Sequence, residues 1–396
     1  MHARQIIQDF LAHQCGFIHA KRRNALASAT DAARRGGLGL LKMSKGLSNE
    51  TSLRHRIKST DRLLSNSHLD TERLAIYRAM AHRVIGSQIE IGIIVDWSDL
   101  LRDISQHVLR AAVVVQGRAV VVYEEIHPTK QLAEQQVHRA FMKTLRTVLP
   151  AQCKPIVLTD AGFRATWFKT LDELGFAWIG RIRNRDKVRL QDGTNWRGCK
   201  ELYPDATSRP RDLGTCEYAR SNPVACRLVL IKRAPKGRKS MTVFGKRSRS
   251  RHNNKQRSGQ TEPWLLGVSP SLTQLNARAI IDWYGTRMQI EQTFRDLKCA
   301  QWGMGLSTSQ TRKPKRLAVL LLIGALVSLV LWLIGLAVRK SGYTIQYGSS
   351  KKASNTLSIL SLARHWLQDN VTKKLTRWQI NEALAELTTM LKLYQK

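Results

Sequence analysis

The chain has 396 residues, enough to bury at least one large core and to hold two or three domains. It carries 65 Lys and Arg against 29 Asp and Glu, a formal net charge of +36 spread along its length. Such an excess implies a polyanionic partner, nucleic acid before any other. The six cysteines, Cys15, Cys153, Cys199, Cys216, Cys226 and Cys299, form no CxxC pair, which excludes a zinc ribbon or a redox motif and fits a reducing cytoplasm. The first ten residues hold no uninterrupted apolar run, so no signal peptide is expected. Residues 1–88 read as helices near 4–14, 20–35, 50–65 and 70–85, with Ser48-Asn49 capping the third and Asp70 the fourth. The third carries Arg54, Arg56, Lys58 and Arg62, with Leu53, Ile57, Leu63 and Leu64 as its buried side. A basic helix in a small bundle suits a groove or a phosphate track, and it equally suits a solvated face.

From residue 89 the period changes. Ile89 to Asp96 is a nearly continuous apolar strand that ends in an acid, and strands at about 107–115 and 118–125 follow as a hairpin around Gln116-Gly117. After a helix at about 130–148, Pro155 to Asp160 repeats the pattern of an apolar strand ending in an acid. A helix at about 164–174 and a strand at 176–183 come next. Three antiparallel strands, then alternating helix and strand, resemble a ribonuclease H-like core. Carboxylates at strand ends are held by a rigid sheet yet reach a cleft. Asp99 lies past the first strand and reads as a turn or cap residue.

Residues 184–262 interrupt this pattern with short β-like runs at 187–190 and 226–231 and many turn residues. Within them 231–257 holds eleven Lys and Arg, Lys232 and Arg233 among them, and no acid, a composition that awaits phosphate rather than packing a core. A strand-like run at Trp264–Val268 leads to 283–298, which reads as one helix with Trp283, Ile290, Phe294 and Leu297 buried. At about 100° per residue, Tyr284, Arg287, Glu291, Arg295 and Lys298 share one face of it. One carboxylate among three cations suits a metal-bound phosphodiester.

The spacing Tyr284-x2-Arg287-x3-Glu291-x6-Lys298 resembles the signature of bacterial insertion-sequence DDE transposases of the insertion sequence 4 family, and the phrases around Asp96 and Asp160 are similar to motifs of that family. The resemblance implies an α/β protein with a ribonuclease H-like catalytic core (89–183 and 263–340), a basic β-rich insertion (184–262), a helical N-terminal domain for the element's ends (1–88) and a helical C-terminal dimerisation region (341–396). It implies that Asp96, Asp160 and Glu291 hold two divalent metal ions, Mg²⁺ or Mn²⁺. It implies phosphate contacts from Arg287, Arg295 and Lys298, and a base-stacking role for Trp264, which could also be a core tryptophan. Tyr284 is open between a phosphate hydrogen bond and a core phenol. Arg295 stands where relatives often have lysine, which keeps the charge and changes the geometry.

The implied activity is cut-and-paste transposition: double-stranded DNA at the inverted repeats is cleaved through a hairpin, and the 3′-OH ends are joined to target DNA. The alternatives are a ribonuclease H-like nuclease without strand transfer and an inactive DNA-binding relic. Residues 317–338 are apolar enough to span a bilayer, but a helix apolar all round is equally one buried in a large domain, and the buried reading is preferred. No membrane partner is expected, and the resemblance places the protein in the bacterial cytoplasm, on the nucleoid. In the tail, helices near 355–368 and 377–393 are expected, with Leu384, Leu387, Met390, Leu391 and Leu393 as a stripe for a second copy of the chain.

Overall fold

The computed structural model describes residues 1–48, 50–101, 103–183, 186–191, 193–234, 262–301, 303–347, 357–369 and 373–392. Asn49, Leu393 and most of the basic run, from Lys236 to Arg257, lie outside the described residues. The chain divides into two compact units, Met1–Lys154 with Met288–Gln395, and Pro155–Arg287.

The first unit opens with helices α1 (Ala3–Gln14), α2 (Ala20–Gly36), α3 (Leu40–Gly46), α4 (Leu53–Leu64) and α5 (Ser67–Ile85). The short α3 was not expected from the sequence. The chain turns into it through Gly37, whose φ of +99° is a conformation that favours glycine. The caps also differ from expectation. Ser52 accepts from His55 N to start α4, and Asn66 accepts from Leu69 N to start α5. Asp70 instead sits in the first turn of α5 and pairs with Arg73 at 3.3 Å. Both true caps lie one residue before the helix they start, where an Ser or Asn oxygen meets an orphan amide.

Three strands follow, β1 (Glu90–Asp99), β2 (Gln106–Val113) and β3 (Val120–Pro128), antiparallel in the order β3-β2-β1. The apolar residues expected to form them do so, and Ile93, Ile94, Val95, Val108 and Leu109 are fully buried. The helix α6 (Gln135–Val148) lays Phe141, Met142, Leu145 and Val148 into the core.

The long apolar segment is helix α10 (Pro314–Lys340), with α9 (Gln289–Lys298) before it in the same unit. It is long and apolar enough to cross a membrane, and 94% of its most apolar window is buried inside the protein. It packs against α2, α5, β3 and two C-terminal helices, α11 (Ile359–Asp369) and α12 (Arg377–Thr389). Helix α11 comes close at Gly335, where a Cβ would lie 2.2 Å from the Ile359 carbonyl oxygen. The expected C-terminal stripe is corrected here. Leu384, Leu387, Met390 and Leu391 are buried within their own chain: α12, which carries Leu384 and Leu387, covers α10, which is apolar on every side, and the turn that holds Met390 and Leu391 reaches β1.

The second unit holds all but the first residue of β4 (Lys154–Thr159), which runs parallel to β5 (Ala177–Ile182) across the helix α7 (Ala165–Glu173). Helix α7 comes close enough to β5 for the Phe168 ring to stack on Trp178 at 4.2 Å. Strand β10 (Trp264–Val268) pairs with β5 on one side and with β9 (Val224–Ile231) on the other. Beyond β9 come β8 (Arg211–Tyr218), β6 (Lys187–Leu190) and β7 (Arg197–Gly198), all antiparallel. The strands expected as an insertion therefore continue the sheet that contains β5. Helix α8 (Ala277–Gly285) ends this unit.

Candidate functional site

The residues expected to form one helix from 283 to 298 belong to two. Helix α8 stops at Gly285, a 3₁₀ turn runs Thr286–Met288, and α9 starts at Gln289. Tyr284 and Arg287 fall in the second unit, and Glu291, Arg295 and Lys298 in the first. The expected single continuous helix is thus interrupted by the 3₁₀ turn. The apolar stripe is as expected: Trp283, Ile290, Phe294 and Leu297 are all buried. The helical pattern was strong enough to find the stripe.

In the first unit Asp96 lies within β1 rather than at its end, since Trp97, Ser98 and Asp99 continue the ladder with Leu109, Val108 and His107. Its carboxylate is half-buried and accepts from the amide of Trp97 at 2.8 Å. Opposite Asp96 stands Arg110, and opposite Arg110 stands Glu124. Paired residues in a ladder share a face, so an acid, a cation and an acid line up across three strands. Helix α9 packs on this face: Lys298 Nζ donates to Ser98 Oγ at 2.7 Å, and Arg110 Nη1 donates to Thr293 Oγ1 at 3.0 Å.

Glu291 is half-buried in the first turn of α9, where the positive end of the helix favours a carboxylate. Burial pulls the Lys298 ammonium below the ordinary lysine range, against the pull of Asp99 and with that of Arg110. Arg295 is exposed. Asp296, which the sequence reading passed over, is buried and paired with Arg118. Burial raises its pKa, and Arg118 and Arg364 oppose the shift.

Asp99 is the strand's last residue and not a cap. It lies on the other face of the sheet, where its carboxylate meets His107 Nδ1 at 2.9 Å and His107 Nε2 meets Thr129 Oγ1 at 3.1 Å. The alternation of side chains along a strand separates residues three apart, which distinguishes Asp99 from Asp96.

In the second unit Asp160 directly follows β4, half-buried, with Oδ1 accepting from Gly162 N at 2.8 Å. Tyr284 is 4% exposed, so the core-phenol alternative describes its packing. Burial raises its pKa, while Arg287, through charge and a hydrogen bond, and Arg181 pull it back; the charge of Asp160 adds to the rise. Trp264 is half-exposed at the start of β10. The Tyr284 ring meets it edge-on at 5.0 Å, and the Arg233 guanidinium lies 4.7 Å from its centroid. Arg181 and Arg183 both pair with the single carboxylate of Glu262, which Tyr203 also contacts at 2.9 Å.

On α4, Arg54, Lys58 and Arg62 are exposed. Arg56 is half-buried and spends Nη1 on the Leu47 carbonyl at 2.9 Å, which ties the preceding loop. Leu53, expected to be buried, is 36% exposed, and Leu63 and Leu64 carry the buried side. Sequence reasoning missed Arg110, Glu124 and Thr293. The signal was there: opposite charges stand in two apolar strands of one hairpin, and charges there must find each other.

Among the described residues, no group of three or more His, Cys, Asp or Glu side chains is gathered as a metal site. Asp96 and Glu291 belong to the first unit and Asp160 to the second. The donors themselves are hard carboxylate oxygens, and backbone amides orient both aspartates, which suits Mg²⁺ or Mn²⁺ and not a soft metal.

Compared with known families, residues 88–330, more than half of the chain, match the profile of the transposase DDE domain. No curated protein matches the chain.

Proposed function

The chain belongs to the transposase DDE-domain family, and from that premise we propose that it is a cut-and-paste enzyme of the insertion sequence 4 type, acting at the inverted repeats of its own element. Its substrate is double-stranded DNA, first at the element's ends and then at the target. Asp96, Asp160 and Glu291 are the residues that would hold two divalent cations, Mg²⁺ or Mn²⁺. When bound, such ions supply Lewis-acid stabilisation of the attacking and leaving oxygens.

The chain's own residues do the rest. Lys298, Arg287 and Arg295 clamp phosphate oxygens and hold the scissile bond in line. Tyr284, buried and hydrogen-bonded to Arg287, orients that guanidinium. The first cut transfers the phosphoryl group from the 3′ oxygen to water and leaves a 3′-OH. That hydroxyl attacks the opposite strand to form a hairpin, and Trp264 receives the base turned out at the bend. Hydrolysis reopens the hairpin, and the same 3′-OH then joins the target strand. Exposed Arg54, Lys58 and Arg62 track phosphates at the ends, and a homodimer brings two ends together.

The observation that best supports this reading is the docking of α9 on the sheet face of Asp96, through Lys298 with Ser98 and Arg110 with Thr293. The test is Glu291→Gln, assayed on a duplex carrying the terminal inverted repeat with Mg²⁺. Cleavage should fall by about 10³-fold or more while end binding persists. Normal nicking by that variant removes Glu291 from the site. Cleavage without joined products in the wild type assigns a nuclease instead.

A further inference from the structure

We infer that Arg110 is a positioning residue: its guanidinium fixes the roll of α9, and with it Glu291, against the strand that carries Asp96. The inference rests on the function proposed above. Arg110 and Glu124 are 2% and 1% exposed, deep enough that each polar atom must be met. Arg110 Nε donates to Glu124 Oε2 at 2.8 Å, and Nη2 lies 2.7 Å from the same oxygen. The Tyr77 hydroxyl donates to the other oxygen at 2.9 Å. These contacts anchor the guanidinium in the sheet and in α5.

One nitrogen is directed elsewhere. Nη1 donates to Thr293 Oγ1 at 3.0 Å, and the guanidinium carbon lies 4.6 Å from the centroid of the Phe294 ring. At the end of the same helix Lys298 Nζ donates to Ser98 Oγ. Two directional tethers, five residues apart, fix both the rotation and the slide of α9. Apolar burial alone is non-directional and fixes neither.

The roll matters because Glu291, Phe294 and Lys298 follow one stripe of the helix. A roll of ~20° carries a carboxylate ~6 Å from the axis through about 2 Å, which is as long as a metal–oxygen bond. An apolar pair of equal volume would stabilise the core as well as this ion pair or better. What Arg110 and Glu124 add is direction.

The test uses the full chain on inverted-repeat duplex, with Mn²⁺ binding followed by loss of the free-ion electron paramagnetic resonance signal. Thr293→Val removes the hydroxyl and keeps the shape, and Arg110→Lys keeps the charge and loses the fork. Each should weaken Mn²⁺ binding about tenfold and speed amide exchange in residues 289–298. Thr293→Ser, which restores the hydroxyl without the methyl, should bind Mn²⁺ as the wild type does. If Thr293→Ser behaves like Thr293→Val, packing is the cause and the positioning role is overturned. It is overturned equally if Glu291→Gln loses Mn²⁺ while Thr293→Val keeps it. If Glu291→Gln itself binds Mn²⁺ normally, the proposed metal set fails, and amide exchange in Thr293→Val still decides whether Arg110 fixes the helix.

Discussion

The surroundings of Asp96 and of Asp160 use cations in opposite ways. In the first unit Arg110 and Arg118 are consumed inside the protein, each by a carboxylate of its own, Glu124 and Asp296. In the second unit Arg181 and Arg183 share one carboxylate, and Arg233 is exposed with its guanidinium over the Trp264 ring. One neighbourhood buries cations that each have an acid of their own, with Lys298 and Arg295 left beside them. The other keeps a positive excess and an aromatic face, the combination on which a nucleic acid strand settles. A net charge of +36 therefore says little about any one residue: what counts is whether a cation already has its acid.

Breaking the paired side should produce the largest effect. Glu124→Gln leaves Arg110 charged and buried without its partner and should cost about 3–5 kcal/mol. That loss is measured as a shift of the urea midpoint, while Arg233→Ala in the other unit should leave the midpoint where it is. Equal shifts for the two variants would erase the contrast.

The next effect is one of pH, on the other face of the first unit's sheet. His138 accepts a hydrogen bond from Trp97 Nε1 at 2.9 Å, and burial pushes its pKa down to about 4. Its folded value lies below the unfolded one, so the unfolded chain takes up the proton first. Stability is present above about pH 6.5 and is lost as the pH falls toward 4, by roughly 3 kcal/mol. His127 runs the other way: burial lowers its pKa, but hydrogen bonds to Glu125 and Gln131 outweigh that and leave it raised. His138→Gln should therefore flatten the acid limb of a pH series of urea midpoints relative to the wild type. An unchanged slope would mean that the imidazole is not buried in solution.

The sequence made the elements of both units legible where a strong pattern met no competing one. Ile89 to Asp96 and Pro155 to Asp160 read as strands because runs so apolar can only be buried, and both acids sit on or beside them. Strand ends were less legible. Ser98 and Asp99 carry no strand signal, and they stay in the ladder because Val108 and His107 offer partners. The helix across 283–298 read as continuous because its apolar period runs through Gly285 undisturbed, and a 3₁₀ turn at Thr286–Met288 interrupts it. The C-terminal leucines read as a surface for a second subunit because a stripe shows amphipathicity and not which partner covers it. For the helix that carries Leu384 and Leu387 the partner is α10, 44 residues before Leu384 at its nearest end. Arg110 was legible only in part: Glu124 stands opposite it in the same hairpin, but Thr293 is brought to it by the fold alone.

The smallest effect separates steps rather than states. Arg233 covers the Trp264 ring with a cation–π contact, worth about 0.5–1 kcal/mol at an exposed site. A nucleobase on the same ring is worth about 1–3 kcal/mol, so on the proposed mechanism a base turned out of the duplex would displace the guanidinium and free it for phosphate. Trp264→Ala should then slow hairpin formation about tenfold while the first nick, which needs no extruded base, keeps its rate. Trp264→Phe, with a smaller stacking face, should fall between. The two steps are resolved on denaturing gels of end-labelled duplex, as nicked strand and as hairpin. Equal loss at both steps would mean that the indole serves only to pack Tyr284, whose ring it meets edge-on at 5.0 Å, and the exposed side of the comparison would then hold cations without a platform for the base.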